Sequence, residues 1–375
     1  YSSTERNGTD TDVWVLDPTT GRKKAVVTNG GAWEATDFSR DGRQLLVQQG
    51  VSINDVRPGV VDLEAGKLTL FPVDGGKAAF GAFRFAVDGK GAYFTSDENS
   101  EFRTLRYHDF ASNKVVDLSK KIPWNVEEFA LSDDGARVAF ATSEDGISKL
   151  HVIDAKTHAD EPLSELPTGV MSGLEFSPDG KRIAFAINSA TSPSDVYSID
   201  LASRALARWT TSEVGGLDTA KFVAPELVHF PSKAGKGKPL SIPAFYYKPT
   251  KPGPHPVVIQ IHGGPESQAR PVFSADIQYM VGELGIAVLV PNVRGSDGYG
   301  KTWLQLDNGY KREDSVGDIG ALLDWIATQP DLDASRVASP STWAAARASS
   351  PPGSRSAGGR RQGSTRRCRP WRPRG

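Results

Sequence analysis

Phe176-Ser177-Pro178-Asp179-Gly180 separates two short apolar runs, and the same pattern occurs three times earlier in the chain. Asp-Gly between alternating apolar runs predicts a hairpin, because glycine accepts the positive φ that tight turns require. The aspartates at 41, 88, 134 and 179 are 47, 46 and 45 residues apart, so one hairpin-containing unit is repeated four times. The earlier copies are Phe38-Ser39-Arg40-Asp41-Gly42, Phe85-Ala86-Val87-Asp88-Gly89 and Leu131-Ser132-Asp133-Asp134-Gly135.

A second repeated element supports the same period. Repeats of about 45 residues that each contain four short strands, without helical periodicity between them, are typical of propeller blades. The sequence therefore predicts a β-propeller with WD-like blades over residues 1–245, and a β-sandwich with accidental spacing is the alternative. Residues 1–27 resemble the second half of a blade, so we expect the N-terminal part of the ring to be missing. The repeated element is an apolar strand closed by an aspartate, and its copies are Val13-Trp14-Val15-Leu16-Asp17, Leu150-His151-Val152-Ile153-Asp154 and Val196-Tyr197-Ser198-Ile199-Asp200.

The pattern changes after a proline-rich connector at residues 248–256. Continuous apolar runs at 257–261 and 286–290 are typical of strands that are buried on both faces of a parallel sheet. Apolar residues at helical spacing then predict a helix within residues 314–328, with Ser315 as its N-cap. Strand, loop, strand and helix in this order predict that residues 246–337 form an α/β domain.

Glycine-rich loops follow both of these predicted strands. His262-Gly263-Gly264-Pro265 comes directly after the first, and residues 292–300, Asn-Val-Arg-Gly-Ser-Asp-Gly-Tyr-Gly, come after the second. Two adjacent glycines at a strand end let backbone amides approach a shared cavity, as an oxyanion hole requires. Either loop alone is a weak signal, because any tight loop can have this composition. The two in this order, about 30 residues apart, are much more specific.

Together these features resemble the prolyl oligopeptidase family of serine peptidases, in its acylaminoacyl-peptidase and dipeptidyl aminopeptidase branch. The resemblance covers residues 1–337 and rests on the Asp-Gly repeats, the two glycine-rich loops and the helix ending in Asp324-Trp325-Ile326. It implies a propeller that caps an α/β-hydrolase domain and restricts access to short peptide substrates, which are cleaved through an acyl-enzyme without a cofactor or metal. It also implies that the backbone amide of Gly264, together with that of Gly263, forms the oxyanion hole.

The chain departs from the family's pattern after Val337. The family continues with a strand and Gly-x-Ser-x-Gly-Gly, whereas this chain reads Ala338-Ser339-Pro340-Ser341-Thr342-Trp343 and then three alanines. The acid and the histidine that should follow are missing too, since none of the six histidines lies after residue 262. No catalytic residue of a Ser–His–Asp mechanism is identifiable, so we expect the chain to be inactive as written.

The genetic code offers an explanation for this departure. Codons for residues 341–348, when they are read two bases later, can encode Tyr-Met-Gly-Gly-Ser-Ser-Gly, which contains the nucleophile turn in the expected place. Residues 338–375 hold nine arginines without Asp, Glu or Lys, and they lack every Val, Ile, Leu, Met, Phe and Tyr. A GC-rich wrong frame has this composition. We therefore expect residues 338–375 to be an out-of-frame, disordered tail behind a truncated hydrolase domain.

Composition excludes several classes of protein. The formal charge of −1 divides into +9 for residues 338–375 and −10 for the remainder. A single cysteine, Cys368, excludes a disulfide scaffold, and no run approaches the ~18 apolar residues of a membrane span. Clustered arginines can bind phosphates, but no folded module surrounds them, so neither nucleic acid nor membrane is an expected partner. A body without cysteine suits the cytoplasm and the periplasm alike.

Other chemistry-bearing residues have simpler interpretations. Glu127-Glu128 resembles the paired glutamates that bind a substrate N-terminus in dipeptidyl aminopeptidases, but it lies in the strand before a repeated turn, which favours a structural role. His108, His151 and His158 lack metal-ligand spacing, so no metal site is expected.

Two other functions of the chain stay open. One is a propeller binding module with a degenerate hydrolase remnant, and the other is an esterase-like α/β-hydrolase.

Overall fold

The structure of the protein, a computed structural model, describes residues 1–52, 54–73, 76–235, 238–263 and 266–339. Residues 2–208 form five small antiparallel sheets, which follow one another along the chain. The first sheet contains β1 (Ser2–Ser3), β2 (Asp12–Leu16) and β3 (Lys23–Val27). The second contains β4 (Ala32–Phe38), β5 (Gln44–Ser52), β6 (Asp55–Asp62) and β7 (Lys67–Leu70).

The next three sheets repeat this arrangement. The third contains β8 (Phe80–Phe85), β9 (Gly91–Ser96), β10 (Thr104–Asp109) and β11 (Lys114–Asp117). The fourth contains β12 (Asn125–Leu131), β13 (Arg137–Glu144) and β14 (Ile147–Asp154). The fifth contains β15 (Val170–Phe176), β16 (Arg182–Ser189), β17 (Ser192–Asp200) and β18 (Leu206–Arg208).

The repeated Asp-Gly pairs form the hairpin between the first two strands of the second to fifth sheets. In all four hairpins the glycine has a φ between +66° and +70°, which explains why glycine recurs there. Each aspartate carboxylate also accepts a hydrogen bond from the backbone amide two residues further on. Serine hydroxyls two residues earlier donate to three of these carboxylates and lower their pKa values, at Asp41, Asp134 and Asp179.

Apolar side chains fill the space between successive sheets. Leu105 of the third sheet shares a buried cluster with Phe129 and Phe140 of the fourth. Ala141 of the fourth sheet shares another with Phe185 of the fifth. Similar clusters join the first sheet to the second and the second to the third. Small antiparallel sheets that each pack face to face on the next are propeller blades, so the predicted propeller is confirmed.

A sixth sheet of mixed direction and its helices follow the blades. The elements are β19 (Glu226–Ser232), β20 (Leu240–Tyr247), β21 (His255–Ile259), α1 (Ala275–Gly282), β22 (Ala287–Pro291), α2 (Lys301–Leu304), α3 (Arg312–Ile326), β23 (Leu332–Ala338), and the 3₁₀ helices Thr219–Lys221 and Gly309–Lys311. The strand order of the sheet is β19-β20-β22-β21-β23. β21, β22 and β23 run parallel to one another, and β20 is antiparallel to both of its neighbours, β19 and β22. Leu322 and Ile326 of the helix α3 pack into the same buried cluster as this sheet. None of the helices in the described ranges is long and apolar enough to cross a membrane.

The domain boundary differs from the prediction at residue 245. β19 pairs with β20, and β20 pairs in turn with β22, where Phe245 lies opposite Val290. Residues 226–247 therefore belong to the sixth sheet and do not close the propeller. The physical reason is that β20 adds its backbone hydrogen bonds to β22 rather than to a blade. The predicted parallel α/β arrangement is found in β21, β22, β23 and the helices between them.

Candidate functional site

The carboxyl ends of three parallel strands meet at one edge of the sixth sheet. β21 lies between β22 and β23, and Val258 has Val288 as its partner on one side and Ala338 on the other. Parallel strands end at the same edge of a sheet, and ligands of open α/β sheets bind outside such ends. The loop that follows β21 therefore begins beside the end of β23.

Gly263 is the predicted oxyanion-hole residue that the structure describes. Among the described residues, a Cβ built at this position would meet no atom within 4 Å apart from its chain neighbours. No described side chain therefore covers the backbone of Gly263. Gly264 and Pro265 lie outside the described residues, so the oxyanion role of Gly264 stays a prediction.

The two glycine-rich loops are joined by a histidine and a serine. His262 Nε2 lies 3.0 Å from the hydroxyl of Ser296, and that hydroxyl donates to the backbone carbonyl of Val293 at 2.7 Å. Ser296 is fully buried, and burial also lowers the pKa of His262. A neutral imidazole therefore links the loop after β21 to the loop after β22.

A buried ion pair anchors the loop after β22 to α3. Arg294 donates from Nε and Nη2 to the two carboxylate oxygens of Asp318, at 2.9 and 2.7 Å, and its backbone amide donates to Asp318 at 3.0 Å. Ser232, at the end of β19, donates its hydroxyl to the same carboxylate at 2.6 Å. Asp318 is fully buried and Arg294 is 5% exposed. The hydrogen bond to Asp318 raises the pKa of Arg294, so the guanidinium stays charged although it is buried.

Asn292 extends this support to the segment before α1. Its side-chain oxygen accepts from the amide of Ala269 at 2.7 Å, and its side-chain nitrogen donates to the carbonyl of the same residue at 3.0 Å. The nitrogen also donates to the hydroxyl of Tyr299 at 3.1 Å. A fully buried amide with three partners holds the start of the loop rigidly.

Arg270 connects this segment to the fourth blade. Its guanidinium donates to the carbonyl of Gly146 at 2.9 Å, to a carboxylate oxygen of Glu127 at 2.7 Å and to the hydroxyl of Ser148 at 3.1 Å. Gly146 lies in the hairpin between β13 and β14 with a φ of +80°, and a Cβ there would come within 3.2 Å of the Ala269 carbonyl. The blade and the sixth sheet are therefore packed directly against each other at this hairpin.

The third blade contacts the end of the loop after β22. Arg103 pairs with Asp297 at 3.0 Å, and Asp97 pairs with Lys301 at 3.2 Å. The carboxylate of Glu101 accepts from the amide of Thr302 at 2.6 Å and from its hydroxyl at 2.8 Å. The loop that borders the sheet edge is thus held on one side by α3 and on the other side by the propeller.

Comparison with known proteins finds similarity to one family of peptidases. The model of the prolyl oligopeptidase family matches residues 271–339. The chain is 29% identical over 153 residues to prolyl oligopeptidase A of Galerina marginata, a match that covers 39% of this chain and 20% of that protein. It is 25% identical over 254 residues to dipeptidyl aminopeptidase BIII of Pseudoxanthomonas mexicana, which covers 65% of this chain and 36% of that protein. Residues 271–339 of the chain thus resemble the prolyl oligopeptidase family, and longer stretches resemble its named members.

Solved structures show the same fold. Prolyl oligopeptidase B of Galerina marginata superimposes with a TM-score of 0.76 and 15% identity over 90% of this chain and 50% of that chain. A puromycin-hydrolyzing peptidase of Mycobacterium tuberculosis gives a TM-score of 0.73 and 20% identity over 88% of this chain and 54% of that chain. The sixth sheet is thus part of an α/β-hydrolase domain. The chain spans about half the length of these structures, and less of the curated relatives.

The remaining sequence candidates have partners within this prolyl oligopeptidase fold. Glu127 pairs with Arg270, and Glu128 accepts hydrogen bonds from the amides of Gly173 and Leu174 in the fifth blade. These contacts agree with a structural role for the glutamate pair. Within the described ranges, no group of three or more His, Cys, Asp and Glu side chains could hold a metal ion.

Sequence reasoning missed a buried carboxylate beside the glycine-rich loop. Asp307 is 1% exposed, and neither of its carboxylate oxygens has a hydrogen-bond partner among the described residues. Its nearest charge is Nε of Arg312 at 3.3 Å, and a Cβ added to Gly295 would come within 2.2 Å of the carboxyl carbon. Burial raises the pKa of Asp307, so the folded protein binds this proton more tightly than the unfolded chain does. Ionisation of Asp307 therefore costs folding stability, and the cost grows as the pH rises above the ordinary aspartate pKa.

Asp307→Asn is expected to raise the thermal midpoint at pH 7, because it removes a buried charge without changing the shape of the side chain. The gain should shrink as the pH falls toward about 4, the ordinary aspartate pKa, because the folded protein then holds the proton and the unfolded chain begins to bind it. Asp333→Asn is a control of opposite sign, since hydrogen bonds from Ser335 and Arg336 lower the pKa of Asp333 to about 2. Thermal melts of both variants between pH 4 and 7.5 measure this, and a lower midpoint for Asp307→Asn at pH 7 would refute it.

Proposed function

We propose that this chain carries the propeller and the oxyanion-loop part of a serine peptidase that hydrolyses short peptides, and that it has no hydrolase activity as written. The pairing of β23 with β21 carries this proposal, because the end of β23 lies beside the loop that contains Gly263. In the family's sequence pattern, the nucleophile turn follows at this point. The family match, and relatives described as a prolyl oligopeptidase and a dipeptidyl aminopeptidase, support the peptidase class.

The proposed chemistry is acyl transfer. A serine hydroxyl attacks the peptide carbonyl, a histidine takes the proton and later gives it to the leaving amine, and an acid holds the histidine in the correct tautomer. In this chain the amides of Gly263 and Gly264 would donate to the oxygen that becomes negative. The sequence as written has neither the serine turn after β23 nor a histidine after residue 262, so the attack and the proton transfer have no residues to perform them.

The sequence of residues 338–375 fits an out-of-frame tail. Its arginine-rich composition differs from that of the body, and the shifted reading of codons 341–348 supplies a Gly-Gly-Ser-Ser-Gly turn. Genomic DNA around codon 338 tests this point directly. A continuous downstream frame that encodes an acid and then a histidine supports the peptidase, whereas an early in-frame stop supports a binding module with a hydrolase remnant.

A fluorophosphonate probe tests activity itself, because it labels only activated serines. We expect the chain as written to remain unlabelled and the frame-restored chain to be labelled at the turn after β23. The restored chain should also hydrolyse short chromogenic peptides. Labelling of a defined serine in the chain as written would overturn the proposal, and hydrolysis of lipid esters alone by the restored chain would favour the esterase alternative.

A further inference from the structure

The bond between His262 and Ser296 has a direction that follows from counting protons. A serine hydroxyl carries one proton, and here it lies 2.7 Å from the carbonyl oxygen of Val293. Without a proton between them, two oxygens at this distance would repel each other. The hydroxyl therefore donates to Val293, and it can only accept from His262 Nε2 at 3.0 Å. The proton of the neutral ring must then be on Nε2.

The other ring nitrogen faces a backbone carbonyl. His262 Nδ1 lies 3.3 Å from the carbonyl oxygen of Gly263. In a neutral ring with the proton on Nε2, Nδ1 has only a lone pair and cannot donate to that oxygen. Burial lowers the pKa of His262 and favours this neutral form. Of the two polar contacts that the structure describes for the ring, the bond to Ser296 is therefore the attractive one.

We propose that Ser296 is a positioning residue, whose buried hydroxyl holds the His262 ring as the Nε2–H tautomer and through it fixes the backbone at Gly263. Ser296 is suited to this role because its own loop is immobilised two residues earlier by the Arg294–Asp318 pair. The hydrogen bond from the His262 ring to the immobilised Ser296 hydroxyl thus connects α3 to the loop after β21. The geometry stands without the proposed function, and only the catalytic benefit of the fixed loop rests on it.

The tautomer can be observed in the chain as it exists. Labelling with ¹⁵N-histidine gives six imidazoles in long-range ¹H–¹⁵N spectra, and His262→Gln assigns the signal of interest. We expect the Nε2–H pattern for His262 in the wild type. Ser296→Ala should convert it to a mixture of tautomers and speed amide exchange at Gly263 about fivefold, as expected for loss of one buried hydrogen bond. Ser296→Thr, which keeps the hydroxyl, should restore the wild-type pattern.

The chain provides a matched control. The hydroxyl of Thr142 lies 3.1 Å from His151 Nε2 in the fourth blade, the same kind of contact in a different place. Thr142→Val should change the His151 signals alone. An Nδ1–H tautomer in wild-type His262 overturns the proposal even if Ser296→Ala fails to fold. Unchanged His262 signals and Gly263 exchange in a folded Ser296→Ala protein overturn it as well.

A kinetic measurement on the frame-restored chain separates this inference from the proposed function. Ser296→Ala should lower kcat by about 10- to 100-fold with little change in KM. A small displacement of the backbone amide that donates to the transition-state oxygen slows the chemical step but hardly weakens substrate binding. Ser296→Thr should keep most of the rate. A restored chain without any activity would refute the proposed function and leave the tautomer test intact. An active restored chain whose kcat does not respond to Ser296→Ala would refute the positioning role.

Discussion

Asp318→Ala is expected to lower the free energy of unfolding of the sixth sheet by about 3–5 kcal/mol, which is typical of breaking a buried ion pair. The substitution leaves the Arg294 guanidinium buried, without the carboxylate that accepts its Nε and Nη2 protons. It also removes the acceptor for the Arg294 amide and for the hydroxyl of Ser232. β19 and the loop after β22 both lose their common partner on α3, so the effect should exceed that of an ordinary hydrogen bond.

The measurement must report on the sixth sheet alone, because blades and hydrolase sheet can unfold separately. Hydrogen exchange of peptides from α3 and β22 in increasing urea meets this requirement. Asp333→Ala is the matched control, since it removes an aspartate whose partners, Ser335 and Arg336, lie at the surface, and it should lower stability much less than Asp318→Ala does. An Asp318→Ala protein that unfolds at the wild-type urea concentration would show that the pair contributes no net stability.

The propeller could be predicted because its signal is local. Each Asp-Gly pair sits between two strands that pair with each other, so turn chemistry and hydrophobic alternation both lie within about ten residues. Packing of blade on blade adds long-range contacts but does not change which residues form strands. The period of the repeats was therefore enough to give the propeller and the order of its blades.

The boundary near residue 245 could not be predicted because it depends on a long-range partner. β19 and β20 form an antiparallel pair of the kind found in a blade, and no local feature distinguishes them from blade strands. Their assignment to the hydrolase sheet is decided by the pairing of β20 with β22, about 40 residues later in the chain. The predicted N-cap at Ser315 failed for a related reason, since the helix begins at Arg312 and the Ser315 hydroxyl donates to the Arg312 carbonyl.

The sequence draws attention to the glycines of the candidate site but not to the residues that support them. Gly263 and the loop at 292–300 stand out because glycine pairs after apolar strands have a direct conformational meaning. Asp318 gives no such signal, since one aspartate in a helix is usually solvated, and its partner Arg294 is 24 residues away. Ser296 is equally inconspicuous within a glycine-rich loop. Burial and a specific partner give these residues their roles, and both depend on the tertiary structure.

In the frame-restored chain, alanine in place of the first serine of the Gly-Gly-Ser-Ser-Gly turn is expected to lower kcat by about 10⁶-fold. That serine occupies the central position of Gly-x-Ser-x-Gly, where a sharp strand-to-helix turn exposes the hydroxyl. In the described structure β23 ends beside β21, so a turn in this place would follow directly beside the loop that contains Gly263. The amide of the residue after the serine would then complete an oxyanion hole with the amides of the loop after β21.

The second serine of the same turn is the matched control, because it has the same chemistry one residue further on. Its replacement by alanine removes a hydroxyl but keeps the backbone amide that the oxyanion hole needs, so kcat should stay within about tenfold of the restored protein. Hydrolysis of short chromogenic peptides measures both variants, and the restored enzyme should leave large folded proteins intact because the propeller restricts access. Equal losses for the two serines would mean that the shifted frame does not supply a nucleophile turn. A large loss for the second serine alone would place the nucleophile one residue later and change the register of the turn against Gly263.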